Sequence, residues 1–188
     1  MVMAMQPSNE AMINQCRYWV EHFIVPHSIC PFAKKVVDED ELGYLVIDGT
    51  ELEEQVMSLL GQVQSMMTND SPETMLLIFP SLQESFDDFL TMLDVCNGLL
   101  KESGEIEVIQ LASFHPEYLF EDEPEDGTSH YTNRSPWPMI HLIRQSSIKT
   151  ALASFANPEQ IPQRNIKLMQ AMGNAELAEN LARIQQLT

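Results

Sequence analysis

The run TMLLIF, Thr74–Phe79, is apolar almost throughout and lies between two stretches of helical period, an arrangement that narrows the fold more than any other feature of the chain. Upstream, Gly43–Ile47 (GYLVI) is short and β-rich, and Glu51–Met67 carries Leu52, Val56, Leu59, Leu60 and Val63 at helical spacing. The order reads as strand, helix, strand. Downstream, Glu84–Lys101 is amphipathic through Phe86, Phe89, Leu90, Leu93 and Cys96, and Gly104 follows as a stop signal, so this helix should cross back over the sheet. Ile106–Phe114 and Met139–Arg144 are the next strands, separated by the acidic segment EDEPEDGTSH (Glu121–His130), which reads as an exposed loop.

Helices flank this block. Asn9–Val25 places Ile13, Cys16, Val20 and Phe23 on one face and ends at Pro26. From Ser147 onward the tail is helical, with breaks at Asn157-Pro158, Ile161-Pro162 and Gly173 dividing it into three, and its Leu177, Leu181, Ile184 stripe belongs against the core. The expectation is an α+β fold: a single domain over residues 1–188 with a mixed sheet of about four strands, covered by helices, and a helical C-terminal segment.

Composition excludes several classes of partner. Against 10 Lys+Arg stand 28 Asp+Glu, a formal net charge of -18, so the average surface repels phosphate backbones and anionic lipid. Nucleic acid and membrane are therefore not expected partners, whereas a local basic pocket for a small anion is compatible with this charge. The segment MVMAMQPSNE lacks the basic and apolar stretches of a leader, and no run approaches bilayer length, which points to the cytoplasm. Cys16, Cys30 and Cys96 are odd in number and form no CxxC pair, so neither a disulfide framework nor a cysteine zinc knuckle is indicated. His27 and Cys30 have HxxC spacing without a second local ligand pair, and Gly127 stands alone, with no glycine-rich phosphate cradle. No metal or cofactor class is assigned, and the oligomeric state is open.

Topology brings distant residues together. If helix Glu84–Lys101 connects parallel strands, the carboxyl ends of Thr74–Phe79 and Ile106–Phe114 share one sheet edge, and Pro80, Ser81 and His115 become neighbours. An antiparallel Met139–Arg144 returns Asn133 and Arg134 to the same edge. Strand alternation puts Met139, His141 and Ile143 on one face and Ile140, Leu142 and Arg144 on the other. By the same rule Gln110 falls with Ile106, Val108 and Ala112 on a buried face, needing His141 or Arg144 as partner.

The segments ICPFA, TMLLIFP, QLASFHPEYLF, TNRSPWPMIHLIR and IPQRNIKLMQAMG together resemble a bacterial domain-of-unknown-function family, the one numbered fourteen-fifteen, over nearly the whole chain. No activity travels with that resemblance. Cys30, His115, Asn133, Arg134, His141 and Arg144 match the family's pattern. His130, Trp137 and Gln145 stand where asparagine, tyrosine and glutamate are common and are set aside as catalytic candidates.

Each matching residue has a chemical and a structural reading. Pro31 suits the first position of a short helix, which would put Cys30 at a cap with Lys34 and Lys35 nearby to favour thiolate; the alternative is an inert buried cysteine. His115 has the right chemistry for proton transfer, while the following Pro116 equally suits a structural corner. Arg134 and Arg144 offer planar forks for carboxylate or phosphate, or ion pairs with the acidic loop Glu121–Asp126. Asn133 would bind ligand polar groups or cap the turn, and His141 would bind substrate or serve the amide of Gln110. Two functions follow: a small-molecule hydrolase or transferase acting on an anion, with His115 and Cys30 catalytic and Asn133, Arg134, His141 and Arg144 binding substrate; or a non-enzymatic ligand-binding or regulatory domain in which these residues form a structural polar network.

Overall fold

The computed structural model describes residues 7–153 and 156–188. Four strands, β1 (Leu42–Val46), β2 (Thr74–Ile78), β3 (Ile109–Phe114) and β4 (Met139–Arg144), form one sheet in the order β1-β2-β4-β3. β1 and β2 are parallel, and β4 lies antiparallel between β2 and β3. β2 and β3 thus run in one direction with their carboxyl ends at a common edge, the arrangement on which the expected convergence depends.

The helices divide between two faces. α3 (Leu52–Thr68) and α4 (Phe86–Ser103) cover one face, burying Leu59, Val63, Phe89, Met92, Cys96 and Leu100 against Leu77, Phe79, Ile109, Ile140 and Leu142. Each fully buried side chain of this size contributes roughly 1.5–3 kcal/mol, enough for α4 to hold its place without help from propensity. Ser85 caps α4 by accepting from the Asp88 N–H at 3.2 Å, and Gly104 ends it at φ 79°, a left-handed conformation suited to glycine.

On the other face, α1 (Asn9–Trp19) presents Met12, Cys16 and Trp19, and a wider π turn, Val20–Ile24, extends it and is capped at Val25, just before Pro26. α2 (Ala33–Asp38), α6 (Ile161–Met172) and α7 (Asn174–Gln185) join this layer, with Met169, Leu177 and Ile184 buried against Leu76, Ile78 and Met139. α5 (Gln145–Ala153) continues directly from β4. No described helix is long and apolar enough to cross a membrane.

Four local expectations need correction. Residues Glu105–Glu107 form a 3-10 turn, and β3 begins at Ile109, because Gly104 caps α4 and the next residues close that cap. Gln110 is exposed on β3, an edge strand, and does not lie on a buried face. Pro162 lies in the first turn of α6, where its missing N–H costs nothing, so it starts a helix and does not break one. In the acidic loop Glu121–Asp126 are exposed, but Ser129 and His130 are buried.

Candidate functional site

His115 follows the last residue of β3 and is fully buried, its ring packed between Phe86 and Phe89 at centroid distances of 5.1 and 5.2 Å. Nδ1 accepts the Glu117 N–H at 3.0 Å, which leaves Nε2 to donate to the Leu82 carbonyl at 3.0 Å. This fixes a neutral tautomer, and burial pushes the pKa down, only partly offset by the Leu82 carbonyl and the charge of Glu117. His130, set aside in the sequence, is built the same way. Its Nδ1 accepts from the Phe120 N–H at 3.1 Å and its Nε2 lies 2.7 Å from the Pro124 carbonyl. Gly127 is required beside it, since a Cβ there would lie 2.8 Å from the Pro124 carbonyl oxygen.

The segment after His130 runs alongside the exit of β3. The His115 N–H donates to the Asn133 carbonyl at 3.2 Å, and the Ser135 N–H returns to the His115 carbonyl at 3.4 Å. Asn133 Nδ2 donates to the Ser113 carbonyl at 3.0 Å, while its Oδ1 accepts from Thr132 at 3.1 Å. Arg134 extends the other way: Nε donates to the Tyr118 carbonyl at 3.3 Å, and the guanidinium carbon stands 4.6 Å above the Tyr131 ring. Among the described residues no carboxylate lies within 4.0 Å of it, so the acidic loop does not supply its partner. Arg134 also lines, with Trp19, Phe23, Leu177 and Asn180, a cleft of about 10 Å³, room for roughly one water.

Pro136, Trp137 and Pro138 then lead into β4. Trp137 Nε1 donates to buried Gln15 at 2.6 Å, and Gln15 donates in turn to the carbonyls of Gln185 and Leu187 at 3.1 and 2.6 Å. Gln185 closes the circuit on the Pro136 carbonyl at 3.0 Å. Nothing in the helical spacing of α1 distinguished Gln15 from a surface amide.

β4 sends His141 and Arg144 to opposite faces, as alternation requires. His141 Nε2 lies 2.6 Å from Thr74 Oγ1, whose single proton goes to the Leu142 carbonyl at 2.6 Å. Nε2 is therefore the donor and Nδ1 the lone-pair nitrogen; burial lowers the pKa to about 4. Arg144 Nη1 donates to the Met66 carbonyl at 2.7 Å and Nη2 to those of Asn69 at 2.7 Å and Pro72 at 3.2 Å, closing the last turn of α3. Its Nε faces Glu73 at 3.8 Å, beyond hydrogen-bonding distance.

Cys30 precedes α2, which begins at Ala33, so Pro31 is not its first helical residue. Burial pushes the thiol up, partly offset by the N–H groups of Phe32 and Ala33. The preceding loop is tied to α6: Arg164 donates to the Ser28 carbonyl, and buried Asn165 to that of Ile29 at 2.7 Å. Cys30 packs with the α1 face of the sheet, whereas His115 lies against Phe89 on the α4 face. The backbone of Asn133–Ser135 pairs with that of His115, but the Arg134 side chain lies by Trp19, Phe23 and Leu177 and the His115 ring by Phe86 and Phe89, while Cys30, His141 and Arg144 each stand apart. Among the described residues no group of three or more His, Cys, Asp or Glu is arranged to hold a metal.

Residues 11–179 match a family model described as a protein of unknown function (DUF1415). No curated protein and no solved structure matches the chain.

Proposed function

The chain belongs to the DUF1415 family, whose description names no activity, and from the side chains themselves we propose a non-enzymatic binding domain for a small organic anion, with Arg134 as the anchoring cation. The observation that carries this reading is the unequal use of polar atoms. His115 spends both ring nitrogens on backbone, Asn133 is bonded at both ends of its amide, and Arg144 serves three or more carbonyls. Arg134 alone of these keeps terminal nitrogens with no hydrogen-bond partner among the described residues; braced by Tyr118 and Tyr131, they are not buried, so an anion reaches them from solvent and not through the water-sized cleft. A guanidinium so held loses little freedom on binding and offers a two-pronged contact to carboxylate or phosphate.

The hydrolase or transferase reading is the weaker one. It asks His115 to move a proton that its two hydrogen bonds hold in place, and it pairs Cys30 with His115, which lies on the other side of the sheet. The charge of -18 favours a small solute over nucleic acid. Three unpaired thiols suit a reducing compartment such as the cytoplasm.

A thermal-shift screen of carboxylates and phosphates against wild type, Arg134→Lys and Arg134→Gln tests the proposal. At least one anion should raise the wild-type Tm, with affinity reduced by about tenfold in Arg134→Lys, which keeps the charge but loses the fork. A wild type indifferent to every anion, or an Arg134→Lys variant that binds equally well, would end the reading.

A further inference from the structure

A second cationic hollow lies at the start of α6. Asn157, Gln160, Gln163, Arg164 and Lys167, with Ile161, line an open groove of about 530 Å³, within the usual range of small-molecule sites, about 300–1,000 Å³. Its composition runs against that of the chain: two cations and three primary amides, with no carboxylate in the lining, in a protein with 28 Asp+Glu and 10 Lys+Arg. Glu159, in the preceding turn, is exposed and outside the lining.

The arginine is fixed in advance. Its Nη2 donates to the Ser28 carbonyl and, at 2.9 Å, to Asn165 Oδ1, while Asn165 is itself held by the Ile29 carbonyl. Among the described residues, Nε and Nη1 of Arg164 and the Lys167 ammonium have no partner. A guanidinium, an ammonium and amide N–H groups together offer more donors than the two oxygens of a carboxylate can use. A phosphate dianion, with three terminal oxygens, uses them better.

We propose that this groove binds the phosphate group of a small phosphomonoester. The occupant is small because the net charge of -18 repels a polyanionic chain or membrane, while a single compact ligand reaches one local basic hollow. The site is separate from Arg134, which lines the small cleft beside α7.

Calorimetric titration of the full chain with inorganic phosphate, glycerol phosphate and acetate tests this, using wild type, Lys167→Gln, Arg164→Lys and Arg134→Gln. Wild type should bind glycerol phosphate saturably and more tightly than inorganic phosphate, with acetate weakest. Lys167→Gln, at a position with no hydrogen-bond or ion-pair partner among the described residues, should melt like wild type and bind about tenfold more weakly, and Arg164→Lys should also weaken binding. Arg134→Gln should retain the phosphate response. The proposal is overturned by the absence of saturable phosphate binding in wild type, by undiminished affinity in Lys167→Gln, or by loss of binding in Arg134→Gln, which would move the site to the cleft. Tighter binding of inorganic phosphate than of the ester would overturn the ester as ligand.

Discussion

Nε2 of His115 stands 3.0 Å from the Leu82 carbonyl oxygen, so the end of β3 is fastened to the turn that follows β2. Both strands end at the same edge, and the histidine closes the gap that β4 leaves between them. Replacing it with alanine removes two hydrogen bonds and leaves a hole beside Phe86 and Phe89. His115→Ala should therefore lose roughly 2–4 kcal/mol of stability in urea denaturation. A loss near zero would mean that the ring is dispensable and that its hydrogen bonds are not structural.

Arg144 should be similarly intolerant for a different reason. In Arg144→Met the carbonyls of Met66, Asn69 and Pro72 lose a shared donor group, at an expected cost of roughly 2–4 kcal/mol. Arg144→Lys should recover only part of this, because one ammonium does not span the same carbonyls. Denaturation curves give the cost, and hydrogen exchange in the last turn of α3 should rise before exchange elsewhere.

His141 makes stability depend on pH in a defined window. Its folded pKa is about 4 against an ordinary 6.5, so the unfolded chain takes up a proton first as pH falls. Its contribution is complete above about pH 6.5 and declines toward pH 4, by roughly 2–4 kcal/mol in total. His115, also lowered, acts in the same direction. Melting curves between pH 7 and pH 4 should be flatter for His141→Gln than for wild type; parallel curves would remove His141 as the cause.

The thiols should separate by accessibility. Cys16 and Cys96 are fully buried, with the Cys96 pKa pushed up to about 12 and that of Cys16 higher still, whereas Cys30 is only partly covered. A chromogenic disulfide reagent should react first with Cys30 in the native protein and with the other two on unfolding. A Cys30→Ser variant that keeps the rapid phase would contradict this assignment.

The sheet and its covering helices were legible because their signal is local. The apolar TMLLIF run and the spacing of Val56, Leu59 and Val63 or of Phe89, Leu93 and Cys96 each follow from the face that must be buried. The return of the Asn133–Ser135 backbone to the exit of β3 was legible from strand direction, but not the separate surroundings of the His115 ring and the Arg134 side chain. What these residues bond to was not. The partners of His115, Arg144 and His130 are carbonyls and N–H groups, and a backbone carbonyl looks the same at every position of a sequence. Gln110 was misplaced because alternation gives a side chain's face without saying whether that face is buried at that position.

The circuit through Gln15 has a consequence for the order in which the protein can be completed. This glutamine accepts from Trp137 and donates to Leu187, 172 positions further along the chain. Ribosomes add about 5–20 residues each second, so roughly 10–30 s separate the synthesis of the two ends of that contact. During this interval α1 exists with its apolar face ready and its C-terminal partner unmade. Although α1 is made long before α7, it is among the last of the described elements to be locked in place.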